Sequence, residues 1–406
     1  MAETFITQID IESVRNLSPI SLRLGGTERK HLILTGKNGC GKTTLLKEIR
    51  NYLAACAQHS GDDIINWKKR FTEIHCFLQK ATDDANRAKY QKQLEPLASL
   101  TKNVKSITLY FSDNFSLQEK IKTGKFITCF FAANRISSFK VPEGIKKINT
   151  HPAYDINSKV APDFIQLIVN LKADRSFAKD DNDSALVKDI DIWFNNLQDN
   201  LEYLLSNKVK LEFDRRNYTF NIQEENKVPY NFTQLSDGYS AILDILSELI
   251  LRMGIDPIKT YDIEGIVLID EIETHLHIEL QKKILPFLTK IFPKIQFIIT
   301  THSPFVLSSI SNSIIYDLEK GLVTEDLSQY SYEALVESYF DTDQYSERLK
   351  KQFAELKYLS DKEYLSEEEK ENYLRLKSEI SQASKLFSEE LLVAYQSLQL
   401  DEILEK

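Results

Sequence analysis

The stretch "LTGKNGCGKTTLLKEI", Leu34 to Ile49, has three glycines within six positions of a 406-residue chain that has only 12 glycines. Glycine costs backbone entropy on folding, so such a cluster indicates conformations that other residues would hinder. Positions 36–43 fit the pattern GxxxxGK[ST] of a phosphate-binding loop. The loop follows the apolar run "HLIL" and precedes a segment with apolar residues at helical spacing. Because this strand–loop–helix context is what the motif requires, the sequence predicts a nucleotide site rather than a chance match.

In a loop of this kind, successive backbone N–H groups surround an anion, and the helix N-terminus adds a favourable dipole. Lys42 is expected to reach the β- and γ-phosphates, and the Thr43 hydroxyl is expected to ligate Mg²⁺. The predicted nucleotide-binding residues of the loop are Gly36, Lys37, Asn38, Gly39, Cys40, Gly41, Lys42, Thr43 and Thr44.

A pair of adjacent acids follows the second apolar run, "GIVLIDE" at 265–271. This pattern is typical of a buried parallel strand that presents chemistry at its carboxyl end. Asp270 is predicted to hold the Mg²⁺ shell, and Glu271 to orient and deprotonate the attacking water. A solvated strand-to-helix turn is the alternative, which the five apolar residues before the acids make less favourable.

The third element is "TQLSDGYSAILDILSELI" at 233–250, where an apolar periodic stretch predicts a helix that begins near Ser236. Ser236 could simply be the N-cap of that helix, with Asp237 favourable in the first turn. The alternative is a second anion site, in which Ser236 and Gly238 meet the γ-phosphate held by a neighbouring subunit.

His302 ends the third apolar run, "FIITTHSPF" at 297–305. If this strand lies beside the one that carries Asp270, His302 could reach the γ-phosphate or the attacking water, although a purely structural histidine is the alternative. His275 and His277 could contact a partner subunit or suggest metal, but no further ligand at suitable spacing supports a metal site.

Charge and composition exclude several classes of protein. The net charge is −9, and positions 341–406 carry 16 acidic and 10 basic residues, which disfavours binding of nucleic acid by bulk charge. No apolar run of about 18 residues is present, so no membrane span is expected. The beginning, "MAETFITQIDIES", predicts no secretory signal. The four cysteines lack CxxC spacing, which suits reduced thiols and a cytoplasmic location.

The order of patterns along the chain predicts an α/β fold. Alternating or apolar runs predict strands before 35, at 106–112 and at 125–134, and a hairpin at 208–223. Helices are predicted after the glycine loop, through 60–103 and through 158–206. The charged region at 330–406 is predicted to be entirely helical, since it is periodic and rich in helix-forming residues.

The four elements, in this order, resemble the ABC-type ATPases, and most closely the soluble branch that includes RecF, SMC, Rad50 and the overcoming-lysogenisation-defect ATPases. "LSDGYS" stands where that family has its signature loop, with Asp237 in place of a glycine. "DEIETHLH" is similar to the form with proline at position 272, where this chain has Ile272. The resemblance implies an ABC ATPase head at 1–328, with a parallel-sheet core, an antiparallel β subdomain and a helical lobe. It further implies helical insertions at about 50–105 and 140–206, and a helical C-terminal region at 329–406.

The resemblance also implies a mechanism. Two heads sandwich two ATP molecules with Mg²⁺ to form a homodimer or a higher homo-oligomer, and Ser236 and Gly238 of one subunit close on nucleotide held by the other. Hydrolysis by Glu271, with His302 as a switch, releases the pair. Asn134 or Arg135 in "FFAANR" would stand at the glutamine-loop position, and Arg15 would lie near the nucleotide.

The chain has no segment long enough for the coiled coils of SMC and Rad50 proteins. "ALVESYFDTD" at 334–343 is interpreted as an amphipathic helix, because it lacks the apolar strand that a TOPRIM nuclease needs before DxD. A head with no nuclease of its own is similar to the ATPase subunits of Septu-type and retron-associated antiphage systems. That similarity implies a separate HNH-type nuclease as effector, without a membrane partner. Two alternatives stay open: an ATPase that repairs or clamps DNA, and an ATP-controlled scaffold or switch without a nucleic-acid role.

Overall fold

The apolar runs of the sequence form buried strands in a computed structural model of the protein. The structure describes residues 3–14, 17–135, 138–148, 151, 153–253, 261–335, 347–360, 362 and 364–383. Its strands are β1 (Ile6–Ile11), β2 (Ile20–Arg23), β3 (His31–Thr35), β4 (Ile107–Phe111), β5 (Phe126–Phe131), β6 (Val209–Asp214), β7 (Thr219–Glu224), β8 (Tyr230–Asn231), β9 (Glu264–Ile269), β10 (Ile295–Thr300), β11 (Ser313–Asp317) and β12 (Leu322–Glu325).

The largest sheet has six strands in the order β12-β11-β3-β10-β9-β5. The five strands from β11 to β5 run parallel, and β12 pairs antiparallel with β11 at the edge. Every residue of β3 and β10 is buried, as expected for strands with both faces covered. The predicted α/β class is confirmed. The carboxyl ends of the neighbouring strands β3, β10 and β9 lie side by side.

Two further sheets are antiparallel: β2-β1-β4 and β6-β7-β8. The predicted hairpin is confirmed, with Asp214 of β6 paired to Thr219 of β7 across the intervening turn. The predicted antiparallel β subdomain is therefore present beside the parallel core.

The remaining regular elements of the described chain are helices. They are α1 (Lys42–Cys56), α2 (Gly61–Lys80), α3 (Asp84–Thr101), α4 (Leu117–Lys122), α5 (Phe164–Asp180), α6 (Ser184–Leu205), α7 (Asp237–Arg252), α8 (Ile278–Ile291), α9 (Pro304–Leu307), α10 (Tyr332–Ala334), α11 (Glu347–Ser360) and α12 (Glu367–Ala383).

The helical insertion expected at 140–206 is only partly helical. Residues 140–148 and 153–160 form no helix, and regular helix begins with a short 3-10 turn at Ala161. Pro142, Gly144 and Pro162 explain the difference, because proline lacks an N–H donor and disfavours helical backbone in the residue before it.

The chain divides into two compact units, Met1–Tyr330 and Ser331–Lys406. In the second unit, α11 and α12 pack through Leu356, Leu359, Leu376 and Ile380. The helical prediction for the tail is confirmed for these helices, whereas most of the "ALVESYFDTD" segment lies outside the described residues. The assignment of 1–328 and 329–406 as domains stays a prediction. Among the described helices, none is long and apolar enough to cross a bilayer.

Candidate functional site

The glycine-rich loop joins β3 to α1 and curls through left-handed backbone. Gly36 has a φ of 125° and Gly41 a φ of 110°, values that side-chain-bearing residues rarely adopt. A Cβ on Gly36 would also lie 3.0 Å from Cys40 Sγ and 3.2 Å from the Glu319 nitrogen. The glycine cluster is therefore explained by both backbone conformation and close packing, while Lys37 and Asn38 at the loop crest are exposed.

Lys42 starts α1 and turns back into the loop. Its Nζ donates to the carbonyl oxygen of Gly36 at 2.7 Å and to that of Lys37 at 3.1 Å, and the residue is buried. The loop thus holds a positive charge among backbone groups at a helix N-terminus. That combination suits a polyphosphate.

The carboxyl ends of β9 and β10 bring Asp270 against this loop. Thr43 Oγ1 donates to Asp270 Oδ1 at 3.1 Å, although the two residues are 227 positions apart in the chain. Thr300 Oγ1 donates to the same oxygen at 2.7 Å. Asp270 is buried, and a hydroxyl beside a carboxylate is the hard-oxygen donor set that Mg²⁺ prefers.

These donors fit magnesium held jointly with a nucleotide. Within the described part of the chain, no group of three or more His, Cys, Asp and Glu side chains could hold a metal ion. Mg²⁺ at Thr43 and Asp270 would therefore need phosphate oxygens and water to complete its shell, which is its usual arrangement in ATPase sites.

Glu271 follows Asp270 with a φ of 44°, an uncommon conformation for a residue with a long side chain. Its backbone N–H donates to Thr300 Oγ1 at 2.7 Å. Thr300 therefore links both predicted acids, as donor to one and acceptor from the other. Thr300 was not among the residues predicted from the sequence, although its place at the end of an apolar strand was a usable signal.

His302 lies beside Glu273, a second residue that was not predicted from the sequence. The His302 N–H donates to Glu273 Oε1 at 2.5 Å. His302 Nε2 and Glu273 Oε2 are buried and, among described atoms, have no hydrogen-bond partner. Burial and then the Lys42 charge lower the pKa of His302, which favours the neutral imidazole, while the carboxylates of Glu273 and Glu271 oppose that shift. An orphaned imidazole nitrogen near Lys42 suits a contact with phosphate or water.

The loop after β5 contributes Arg135, whose guanidinium reaches backbone rather than solvent. It donates to the carbonyl oxygens of Asp270 at 2.7 Å and Glu271 at 3.0 Å.

The neighbouring Asn134 lines a cavity of about 350 Å³ together with Asp237 and other residues near the start of α7. Arg15, which was expected near the nucleotide, lies outside the described residues.

The start of α7 presents Ser236 at the surface. Ser236 occupies the N-cap position, but its side chain makes no capping hydrogen bond and the residue is exposed. Its hydroxyl does not cap the helix in this structure. Gly238 is buried, and a Cβ there would lie 2.8 Å from the His275 carbonyl oxygen and 3.5 Å from Leu280 Cδ1. Gly238 thus lets the start of α7 pack against the segment that follows Glu271.

The structure brings the loop, Asp270, Glu271 and His302 to one edge of the sheet. Within the chain, the contacts of Gly238 are to His275 and Leu280, whereas Ser236 faces outward. The predicted site therefore forms two groups: one around Lys42 and Asp270, and one at the start of α7.

Parts of the chain are similar to known proteins. The family model described as "AAA domain, putative AbiEii toxin, Type IV TA system" matches residues 149–308. A retron Ec83 probable ATPase of Escherichia coli is 41% identical over 103 residues, which is 25% of this chain and 19% of that protein. The Septu protein PtuA of Bacillus mycoides (strain KBAB4) is 27% identical over 321 residues, 76% of this chain and 39% of that protein. A retron Vc95 probable ATPase of Vibrio cholerae serotype O1 biovar El Tor is 26% identical over 238 residues, 57% of this chain and 42% of that protein.

The matched part of the chain spans less than half the length of each of these relatives. Among solved structures, the SMC head domain from Thermotoga maritima has a TM-score of 0.35 at 12% identity, covering 79% of this chain and 97% of that one. An SmcHead bound to the C-winged helix domain of ScpA has a TM-score of 0.39 at 11% identity, covering 80% and 99%. The family match and the curated relatives confirm the resemblance to ABC-type ATPases of this branch, including those of Septu and retron type.

Proposed function

We propose that this chain binds ATP with Mg²⁺ and hydrolyses it, and that nucleotide-driven pairing of two copies regulates a separate effector in bacterial antiphage defence. The observation that carries the ATPase proposal is the meeting of Thr43 and Asp270 at the phosphate loop, with Glu271 joined to them through Thr300. Curated relatives named as probable ATPases of retrons, and as a Septu protein, support the same assignment.

In the proposed reaction, Lys42 and the loop N–H groups hold the β- and γ-phosphates. Thr43 and Asp270 would hold Mg²⁺, which when bound neutralises charge on the phosphate oxygens. Glu271 orients the attacking water and accepts its proton, while neutral His302 donates a hydrogen bond to the γ-phosphate or accepts one from that water.

Two copies are proposed to share each ATP. The exposed Ser236 leads a helix N-terminus and leaves its hydroxyl free of the capping role, so that the γ-phosphate on a second copy could accept its hydrogen bond. ATP would then stabilise the pair, because it binds the closed arrangement more tightly than the single copy.

The output is proposed to be a separate effector, a nuclease of HNH type, which would act with this protein in the cytoplasm. Support comes from the resemblance to Septu-type and retron-associated ATPase subunits, as the curated relatives are named. Co-purification with the product of the neighbouring gene tests this part. We expect a stable complex with nuclease activity that responds to ATP, whereas separate elution and no such activity would refute it.

The ATPase and pairing proposals are tested with wild type, Lys42→Ala and Glu271→Gln. Wild type should bind and hydrolyse Mg-ATP, and Lys42→Ala should lose nucleotide binding because its side chain is the charge inside the loop. Glu271→Gln should bind ATP without hydrolysing it and sediment as an ATP-dependent dimer or larger assembly. A wild type that binds no ATP by calorimetry, or a Glu271→Gln that stays monomeric at saturating ATP, would contradict the respective part.

A further inference from the structure

Arg135 makes an unusual set of contacts for a buried arginine. Its Nη1 donates to the Asp270 carbonyl oxygen at 2.7 Å and to that of Ala132 at 3.2 Å. Its Nη2 donates to the carbonyl oxygens of Glu271 at 3.0 Å and Ile272 at 3.2 Å. The residue is 5% exposed, so one guanidinium clamps three consecutive carbonyls of the segment that carries both acids.

Buried cations normally pair with a carboxylate, because removing a charge from water is costly. Among the described residues, Arg135 forms no ion pair and depends instead on these four carbonyl dipoles. Burial lowers the pKa of Arg135, and the carboxylates of Glu273, Asp244, Asp270 and Glu271 oppose that shift from a longer distance. Within the described part of the chain, the buried guanidinium therefore donates its hydrogen bonds to backbone carbonyls alone. Carbonyl dipoles compensate for the lost hydration of a charge less well than a carboxylate does. The contacts are best explained by a need to hold the backbone in place.

The segment needs such support because Glu271 lies in left-handed backbone. The amides of these peptides are already tied to β10: Glu271 N–H donates to Thr300 Oγ1 at 2.7 Å, and Ile272 N–H donates to the Thr300 carbonyl oxygen at 3.1 Å. Arg135 holds the carbonyls of the same peptides from the other side. With both ends of each peptide fixed, the direction in which the Glu271 side chain leaves the backbone is fixed as well.

We infer that Arg135 is a positioning residue for hydrolysis, which sets the Asp270 and Glu271 peptides through a planar fork of donors to their carbonyls. The inference rests on the proposed ATPase function and deepens it. Lysine cannot reproduce the arrangement, because its ammonium is a compact charge on a flexible stem and lacks the fork.

The test compares Arg135→Lys and Arg135→Ala with wild type, and uses Arg252→Lys as the matched control. Arg252 is also buried and donates to the carbonyl oxygens of Thr128 at 2.8 Å and Asp155 at 3.1 Å, but it pairs with Glu248 and its hydrogen bonds go to residues other than the two acids. Arg135→Lys should keep ATP binding and lose about 10- to 100-fold in kcat, the usual size of such an indirect effect. Free guanidinium should restore part of the activity of Arg135→Ala. Arg252→Lys should lose thermal stability without this selective loss of kcat.

Hydrogen–deuterium exchange of residues 270–276 in nucleotide-free protein separates this inference from the proposed function. We expect these amides to exchange faster in Arg135→Lys than in wild type and in Arg252→Lys. Unchanged exchange in Arg135→Lys, or a kcat equal to that of wild type, would overturn the positioning role. A wild type without ATPase activity would instead refute the proposed function. The exchange rates of residues 270–276 would then still show whether Arg135 holds this segment in place.

Discussion

At the scale of single residues, the candidate site depends on hydroxyls and backbone groups more than on the acids alone. Thr300 Oγ1 accepts from the Glu271 N–H at 2.7 Å and donates to Asp270 Oδ1 at 2.7 Å. One side chain thereby links the Asp270 carboxylate to the backbone of Glu271. A hydroxyl is suited to this because it can donate and accept at the same time.

His31 provides a residue-scale test of how burial affects stability. It is 6% exposed in β3, and its Nδ1 accepts from the Phe297 N–H at 3.1 Å, so the imidazole must be neutral on that side. Burial, with a contribution from the Arg29 charge, lowers the pKa of His31 from 6.5 to about 4. As pH falls from 6.5 towards 4, the unfolded chain binds a proton that the folded chain does not.

We therefore predict that the free energy of unfolding falls with acidification across that window, by up to about 3 kcal/mol from His31. The measurement is urea unfolding at pH 7 and pH 5 for wild type and His31→Gln, which retains an acceptor but does not titrate. The variant should lose less stability than wild type between the two pH values. Equal losses in both proteins would show that His31 does not titrate as its burial implies.

At the scale of elements, α7 is attached at both ends. Near its C-terminus, Arg252 Nε donates to Glu248 Oε1 at 2.7 Å, and Glu248 Oε2 accepts from the N–H groups of Val160 and Ala161 at 2.7 Å each. At its N-terminus, Gly238 packs on the carbonyl of His275. The start of α7 is consequently coupled to the segment that follows Glu271.

Gly238→Ala should disturb that attachment, because its Cβ would lie 2.8 Å from a backbone oxygen that cannot move freely. Overpacking of this kind costs about 1–3 kcal/mol. We predict a lower melting temperature and weaker ATP-dependent association, measured by calorimetry and sedimentation.

Gly144→Ala is the matched control, since a Cβ there meets nothing within 4 Å. That variant should melt and associate as wild type does. If Gly238→Ala also behaved as wild type, the coupling between α7 and the His275 segment would be excluded.

At the scale of the whole molecule, the proposed mechanism places the exposed Ser236 of one copy against the phosphate held by a second copy. We predict that Ser236→Arg keeps ATP binding and prevents the ATP-dependent dimer, since a long side chain would occupy the space of the partner's phosphate. The measurement is sedimentation of Ser236→Arg combined with Glu271→Gln, compared with Glu271→Gln alone. An unimpaired dimer in the combined variant would place the interface elsewhere.

Local patterns were enough to predict the phosphate loop, α1, the hairpin and the acids at the end of β9. They failed for the segment 140–160, where prolines break the helical pattern, and made no prediction for β11 or α8. Glu273, Thr300 and the contacts of Arg135 were also missed. Their roles come from neighbours far away in sequence: Arg135 is 135 positions from the Asp270 carbonyl that it holds.

The amino-acid sequence by itself determined the glycine loop between β3 and α1 and the place of the two acids after β9, because glycine spacing, strand periodicity and helix starts are properties of adjacent residues. Only the tertiary structure decided that β10 lies between β3 and β9, and so placed Thr300 against Asp270 and His302 beside Glu273. The physical reason is that strand order depends on side chains that meet across the sheet, and no short stretch of sequence contains both partners.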